Sequence, residues 1–333
     1  MRVLVTGATG FVGSHAAVAL REAGHDVRVL ARRPERVAPA LAIHGDGTAV
    51  EVEVAVGDMT DAAAVAAAVD GCDAVVHAAG EIGVADGTGP ASDANVEGVR
   101  TVVGGALAAG CDPVIYTSTI TVHLPTGDDV VTLDTSLAEP HSAYGASKLQ
   151  AELLVREWQA EGAPVTSLVL GGVYGPRSPH LDGSFAAILG AMGAFMLVPP
   201  GGLGVVDVRD LAALIVAAVE PGRGPRRYLA GGTYVTWADW VSALSEGAGV
   251  DVAGNPVTAE ELLELGRQCD ELRAQGQDSL PLSAEAAVIM SAGRPTDDQP
   301  TLDDLGVRWR PLVDTFRDTV DYLRSIGELP PAP

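Results

Sequence analysis

Short apolar runs alternate with longer mixed stretches from the first residues of this chain. Residues 2–6 (Arg-Val-Leu-Val-Thr) are apolar enough for a buried parallel strand, and 11–23 follow with helical character. The pattern predicts a second strand over 26–31, an alternating third over 49–56, a fourth over 74–78 and a fifth over 113–117. Helices are expected over 95–109, 141–162 and 211–219, with a strand over 227–230. Beyond that, 236–246 and 260–275 read as helices and 293–300 as a polar, turn-rich loop. Between 183 and 206 no residue is charged, and 185–198 is strongly apolar. That stretch is too short to span a bilayer and ends at Pro199-Pro200-Gly201-Gly202, so it predicts a buried or pocket-lining helix.

The turn between the first strand and the first helix reads Gly7-Ala-Thr-Gly10-Phe-Val-Gly13. Glycine permits a tight turn and lets backbone N–H groups approach a pyrophosphate, which the helix N-terminus also favours. The spacing is GxxGxxG rather than GxGxxG. After the second strand, Ala31-Arg32-Arg33 carries no carboxylate until Glu35. An acid there would accept from a ribose 2′-OH, whereas arginine suits a 2′-phosphate; NADP(H) is therefore the expected cofactor, with NAD the alternative. Asp58 ends the third strand and either accepts from an adenine amino group or caps the next helix. Ala78-Ala79-Gly80 follows the fourth strand with side chains small enough for a cofactor to pass. His77 reads as a packed, hydrogen-bonded histidine. Asn95 either bonds backbone between neighbouring strands or starts its helix.

Lys148 is the only lysine; the other 20 of the 21 basic residues are arginine. It stands four residues after Tyr144, on the same face of the predicted helix. A phenol titrates near ~10 and exchanges protons poorly at neutral pH, but an adjacent ammonium favours the phenolate. Arginine's planar fork is a poor substitute for that compact charge.

Composition narrows the options. Apolar residues make up 47% of the 333, and 21 basic against 44 acidic residues give a net charge of −23. Nucleic acid and anionic membranes are unsuitable partners for such a surface. Cys72, Cys111 and Cys269 offer neither a disulfide framework nor metal-ligand spacing, so no metal is expected. The N-terminus lacks signal-peptide anatomy, and a cytoplasmic location is expected.

Taken together, these residues resemble the extended short-chain dehydrogenase/reductases, the NAD-dependent epimerase/dehydratase superfamily. The matching positions are Gly7/Gly10/Gly13, Asp58, Ala78-Ala79, Asn95, Ser118-Thr119, Tyr144 with Lys148, Val173-Tyr174-Gly175-Pro176 and Val206-Asp-Val-Arg-Asp210. They span residues 1–215 in the family's order. The last third is similar only in Leu305-Gly306 and a closing helix near 311–324. The resemblance implies an α/β fold: a doubly wound parallel Rossmann sheet with a smaller, mainly C-terminal substrate-capping domain. The NAD(P)-binding part is expected over 1–170 and about 205–232, the cap over about 171–204 and 233–333. It further implies Tyr144 as acid/base, Lys148 holding the nicotinamide ribose, and Thr119 bonding the substrate oxygen, with Ser118 its neighbouring alternative. Thr119 lies 25 residues before Tyr144, as in the sugar-epimerase branch. Cofactor contacts are expected from Gly7, Thr9, Gly10, Phe11, Val12, Gly13, Arg32, Arg33, Asp58, Met59, Ala78, Ala79, Gly80, Asn95, Thr117, Ser118, Gly171 and Val173, besides Tyr144 and Lys148. A homodimer through the helices near 95–109 and 141–162 is also implied.

Departures select a branch. The sugar dehydratases carry Thr-Asp-Glu where this chain has Thr119-Ile120-Thr121, which excludes dehydration of that type. Val169-Leu170 and Gly172 replace the arginine-proline and asparagine of many sugar-nucleotide enzymes, although Arg294-Pro295 is similar to an arginine motif of the epimerases. The uncharged 183–206 segment falls where the family builds its substrate wall; it reads either as an apolar wall or as ordinary core packing. The second strand resembles the dihydroflavonol-reductase-like branch, close to the 3β-hydroxysteroid-dehydrogenase-like reductases. The expected activity is NADP(H)-dependent hydride transfer between nicotinamide and a carbonyl or secondary alcohol of a small, largely apolar substrate. The alternatives are an NAD-retaining nucleotide-sugar epimerase and a non-catalytic NAD(P)-sensing protein.

Overall fold

Parallel strands buried on both faces need helices above and below, and the chain supplies them in strict alternation. A computed structural model of the chain describes residues 1–45, 50–80, 94–140, 143–181, 183–277, 279–280 and 282–332; of Ala143 and Tyr144 it describes the backbone alone. The first half runs β1 (Arg2–Thr6), α1 (Phe11–Glu22), β2 (Asp26–Ala31), α2 (Val37–Ala42), β3 (Glu53–Val56), α3 (Ala62–Val69), β4 (Ala74–His77), α4 (Ala94–Ala108), β5 (Val114–Thr119), α5 (Ala143–Ala160) and β6 (Val165–Leu170). The second half continues β7 (Gly172–Tyr174), α6 (Ser184–Gly193), β8 (Met196–Val198), β9 (Gly202–Asp207), α7 (Val208–Ala218), β10 (Arg226–Ala230) and β11 (Thr233–Thr236). It closes with α8 (Trp237–Ala248), β12 (Gly254–Pro256), α9 (Ala259–Ala274), α10 (Ala284–Ala292), α11 (Gln299–Leu305) and α12 (Leu312–Ser325).

Seven parallel strands form one sheet in the order β10-β6-β5-β4-β1-β2-β3. The strand order reverses between β1 and β4, which opens a crevice at their carboxyl ends, the ligand position of doubly wound sheets. Val3, Val5 and Val29 pack with Leu20 of α1 and Leu211 and Ile215 of α7 on one face. On the other, Leu4, Val75 and Val114 meet Val65 of α3, Val102 of α4 and Val155 of α5. A third core joins Tyr174 and Phe185 to Trp237, Trp240 and Leu244 of α8 and Phe316 and Val320 of α12. Its short strands β7, β9 and β11 pair beside the main sheet.

Four expectations need correction. The uncharged segment is helical only over α6; after Gly193 it turns into β8, paired with β12, and then β9, paired with β7 and β11. A run with no polar residue carries no period, so only its glycine and proline breaks mark where one element ends. The third strand pairs only over β3, an edge strand with Val54 and Val56 37% and 65% exposed, and Ala49 lies outside the described residues. The fifth strand runs two residues further, to Thr119, which stays in register with Leu170 of β6. In the 293–300 loop, Thr296 bridges Val131 and α11 begins at Gln299. The 141–162 helix begins, within the described residues, at Ala143; His141 and Ser142 lie outside them.

Candidate active site

The turn after β1 fits a pyrophosphate. Gly7 has a positive φ of 79°. A Cβ on Gly7 would lie 2.7 Å from the Ala78 carbonyl and the Ala79 nitrogen, so β1 and β4 meet here backbone to backbone. A Cβ on Gly13 would lie 2.2 Å from Gly7 O, which keeps α1 tight against the turn. Gly10 caps α1 without a side-chain bond, and the first turn carries no acid. The orphan N–H groups of that turn and the helix dipole make the position suited to an anion. Thr9 is half-buried in the same turn, Val12 packs on the core, and the Phe11 ring meets Phe185 of α6 at 5.2 Å.

Around this turn stand the other expected cofactor residues. Arg32 and Arg33 are exposed after β2, and Arg32 Nη1 lies 3.6 Å from Asp58 Oδ2. Asp58 accepts from the Thr60 N–H at 2.9 Å and hydroxyl at 2.8 Å. The cap of α3 is Asp61, which accepts from Ala63 and Ala64, so the helix-cap reading of Asp58 is corrected. These bonds, the Thr60 N–H first, hold the Asp58 carboxyl below its usual range against some burial. Met59 packs where a Cβ on Gly98 of α4 would stand. The Thr117 hydroxyl donates to His77 O at 3.2 Å. Gly171 is wedged between the Gly231 and Gly204 carbonyls, and Val173 pairs with Val206.

The expected catalytic residues come from β5 and α5. Thr119 ends β5, half-buried, and its Oγ1 accepts from the Thr121 N–H at 3.3 Å, with the Thr121 hydroxyl 3.1 Å away. Ser118 is buried, and its hydroxyl has no partner among the described residues. Tyr144 opens α5 one turn before Lys148; its side chain lies outside the described set. Lys148 Nζ stands 5.7 Å from the centroid of the Tyr116 ring, and a Cβ on Gly80 would lie 3.8 Å from it. Asn95 on α4 donates to Ser147 Oγ at 3.2 Å, so it reaches α5, which neither reading from sequence included. Past Lys148, Thr121, Val122, Gly145, Leu149, Val288 and Ile289 line one narrow cavity between α5 and α10.

Residues 3–231 match the NAD dependent epimerase/dehydratase family. The chain belongs to that family. It is 33% identical to sterol demethylase protein B of Methylococcus capsulatus over 255 residues, 74% of each chain. To cinnamoyl-CoA reductase 1 of Oryza sativa subsp. japonica it is 29% identical over 98% of this chain and 92% of that one. The crystal structure of gox2253 superposes with a TM-score of 0.80 at 27% identity, covering 98% of this chain and 99% of the other. UDP-glucose-4-epimerase from Stenotrophomonas maltophila, solved with bound NAD, superposes at 0.78 with 22% identity over 98% and 99%, a likeness of fold.

Members of the NAD dependent epimerase/dehydratase family are NAD(P)-dependent enzymes, and here the electrostatics concentrate on Lys148. Burial pushes its ammonium down to about 8, with the Glu152 carboxylate acting the other way. His77, buried with Nδ1 2.7 Å from Thr6 Oγ1, is pushed down to about 3 by burial and then by the Lys148 charge. It is a packed neutral histidine. Sequence reasoning missed Ser147, Glu152, Tyr116 and α10; only Ser147, adjacent to the lysine, carried a signal. A cavity of about 580 Å³ lies instead between α1, α7 and α12, lined by His15, His44, Arg177 and Asp318. Neither Thr119 nor Lys148 lines it.

Two predictions follow from these contacts. Gly13→Ala forces the turn apart at Gly7; it should lower the melting temperature and weaken NAD(P)H binding by at least about tenfold in a fluorescence titration. Unchanged binding would contradict the cradle. His15 and His77 stay neutral in the native protein down to about 3, against an ordinary value of 6.5. Between those values the unfolded chain binds more protons, so stability falls as pH drops below the ordinary value. The melting temperature should therefore fall from about pH 7 to about pH 5, and less steeply in His15→Gln. A flat profile would contradict the assignment.

Proposed function

We propose that the protein is an NADP(H)-dependent oxidoreductase. It moves a hydride between nicotinamide and the carbonyl or secondary-alcohol carbon of a small, largely apolar substrate. The observation that carries this reading is the sole lysine, Lys148, held between Gly80 and the Tyr116 ring one turn after Tyr144. Bound in the crevice, the cofactor supplies or accepts the hydride. Tyr144 gives or takes the proton of the substrate oxygen, at a pKa that the Lys148 ammonium lowers. Lys148 also holds the nicotinamide ribose, and the Thr119 hydroxyl orients the substrate oxygen. The Gly7–Gly13 turn and the first turn of α1 take the pyrophosphate.

Arg32 and Arg33 support NADP(H). Arg32 is 71% exposed and its 3.6 Å pair with Asp58 is a weak surface contact, which a phosphate dianion would displace. An apolar substrate is supported by relatives named as a cinnamoyl-CoA reductase and a 3-beta-hydroxysteroid dehydrogenase. A second reading, an NAD-retaining nucleotide-sugar epimerase, rests on a UDP-glucose 4-epimerase of Neisseria meningitidis, 30% identical over 186 residues. Against it, Arg294 Nη1 is spent on the Gly293 and Ala292 carbonyls of its own loop.

Tyr144→Phe should cut turnover by about a hundredfold or more while cofactor affinity changes less than about twofold. Retained turnover would refute the acid/base role. Arg32→Ala should weaken NADPH by about tenfold or more and leave NADH nearly unchanged in paired titrations. Equal losses for both nucleotides would remove the phosphate role.

A further inference from the structure

Glu152 has no solvent exposure, yet it is a carboxylate one helical turn beyond Lys148 on the same face of α5. Burying such a group is costly unless partners compensate. Its Oε2 accepts from the Ser167 hydroxyl of β6 at 3.1 Å, and its Oε1 from Arg156 Nε at 2.9 Å. Ser167 is the register partner of Tyr116 on β5, the residue whose ring lies under Lys148 Nζ. Carboxylate and ammonium therefore occupy one layer between α5 and the sheet.

We propose that Glu152, one turn beyond Lys148 in the same layer, is a positioning residue that acts through the lysine by favouring its charged form; its catalytic relevance rests on the role given to Lys148 above. A plain structural ion pair with Arg156 would need no burial next to the lysine, since Arg156 is itself 25% exposed at the far end. The groups facing the lysine from other elements are His77 of β4, Tyr116 of β5 and Asn95 of α4, near Gly80. None of them is a carboxylate: His77 is neutral and Asn95 is an amide. Those facing Glu152 are Ser167 of β6, Arg156 of α5 and His123, which feels both the arginine and the carboxylate. Among these described neighbours Glu152 alone offsets the Lys148 charge, and it does so in a medium where few waters screen it. The desolvation that pushes Lys148 down is thereby partly reversed.

The single lysine makes the test direct. In the full chain labelled with [13Cε,15Nζ]lysine, one side-chain signal reports the titration of Lys148. Glu152→Gln should lower its midpoint by about one pH unit or more, and the pH profile of turnover should shift with it. Arg156→Gln, at the solvent end, removes a competing cation and should move the midpoint upward; it keeps the proposal testable if Glu152→Gln folds poorly. A Lys148 titration unmoved in Glu152→Gln, or unmoved or lowered in Arg156→Gln, would overturn the proposal. A shifted titration with an unshifted activity profile would uphold the link between Glu152 and Lys148 and refute the catalytic role of the lysine.

Discussion

An ammonium partly withdrawn from water keeps its charge more readily where neighbouring groups offset the loss, and Lys148 sits in such a place. Lys148 falls from 10.5 to about 8, a loss of about 3 kcal/mol in preference for the charged form, and still carries its proton at neutral pH. A fall of two further units would leave it neutral at pH 7. The Tyr116 ring, the close approach of Gly80 and the buried carboxylate of Glu152 all bear on that margin. Arginine would stay charged there regardless, but its planar, delocalised fork is not the compact point charge of an ammonium.

The fold brings these groups together through strand order. Because β1 lies between β2 and β4, the Gly7 turn, the Ala78-Ala79 backbone and the carboxyl end of β5 share one edge of the sheet. The turn is tight because Gly7 meets the Ala78-Ala79 backbone of β4 and because Gly13 of α1 packs against the Gly7 carbonyl, a shape suited to an anion. Helix α5 then passes behind β5 with Lys148 near its beginning and Glu152 one turn deeper. The crevice at the sheet's carboxyl edge and the residues around Lys148 therefore depend on the same few backbone contacts.

Much of this was legible in the sequence because it is local. Gly7, Gly10 and Gly13 fall in the turn between a strand and a helix, as their spacing predicts, and Tyr144 and Lys148 stand one turn apart on α5. Asp58 was ambiguous between an adenine contact and a helix cap; the cap is Asp61, which the sequence reading passed over, because only the positions of Ala63 and Ala64 decide which aspartate they meet. Helix α10 was invisible: Ala-Glu-Ala-Ala-Val-Ile-Met-Ser-Ala has no polar stripe, because one side packs on α9 and the other lines the cavity beside α5. The division of the uncharged segment into a helix and two strands failed for the same reason, a lack of period. Glu152 gave no sign because its partner Ser167 lies on another element and becomes a neighbour only when β6 pairs with β5.

The most direct measurement is the fate of the transferred hydrogen. Purified protein given NADPH deuterated at the reactive nicotinamide carbon, with a panel of small apolar ketones and aldehydes, should place one deuterium on the carbinol carbon of each product molecule, read by mass spectrometry. Turnover that leaves the product free of deuterium, or that proceeds on NAD carried through purification with no net oxidation of added nucleotide, would contradict the account.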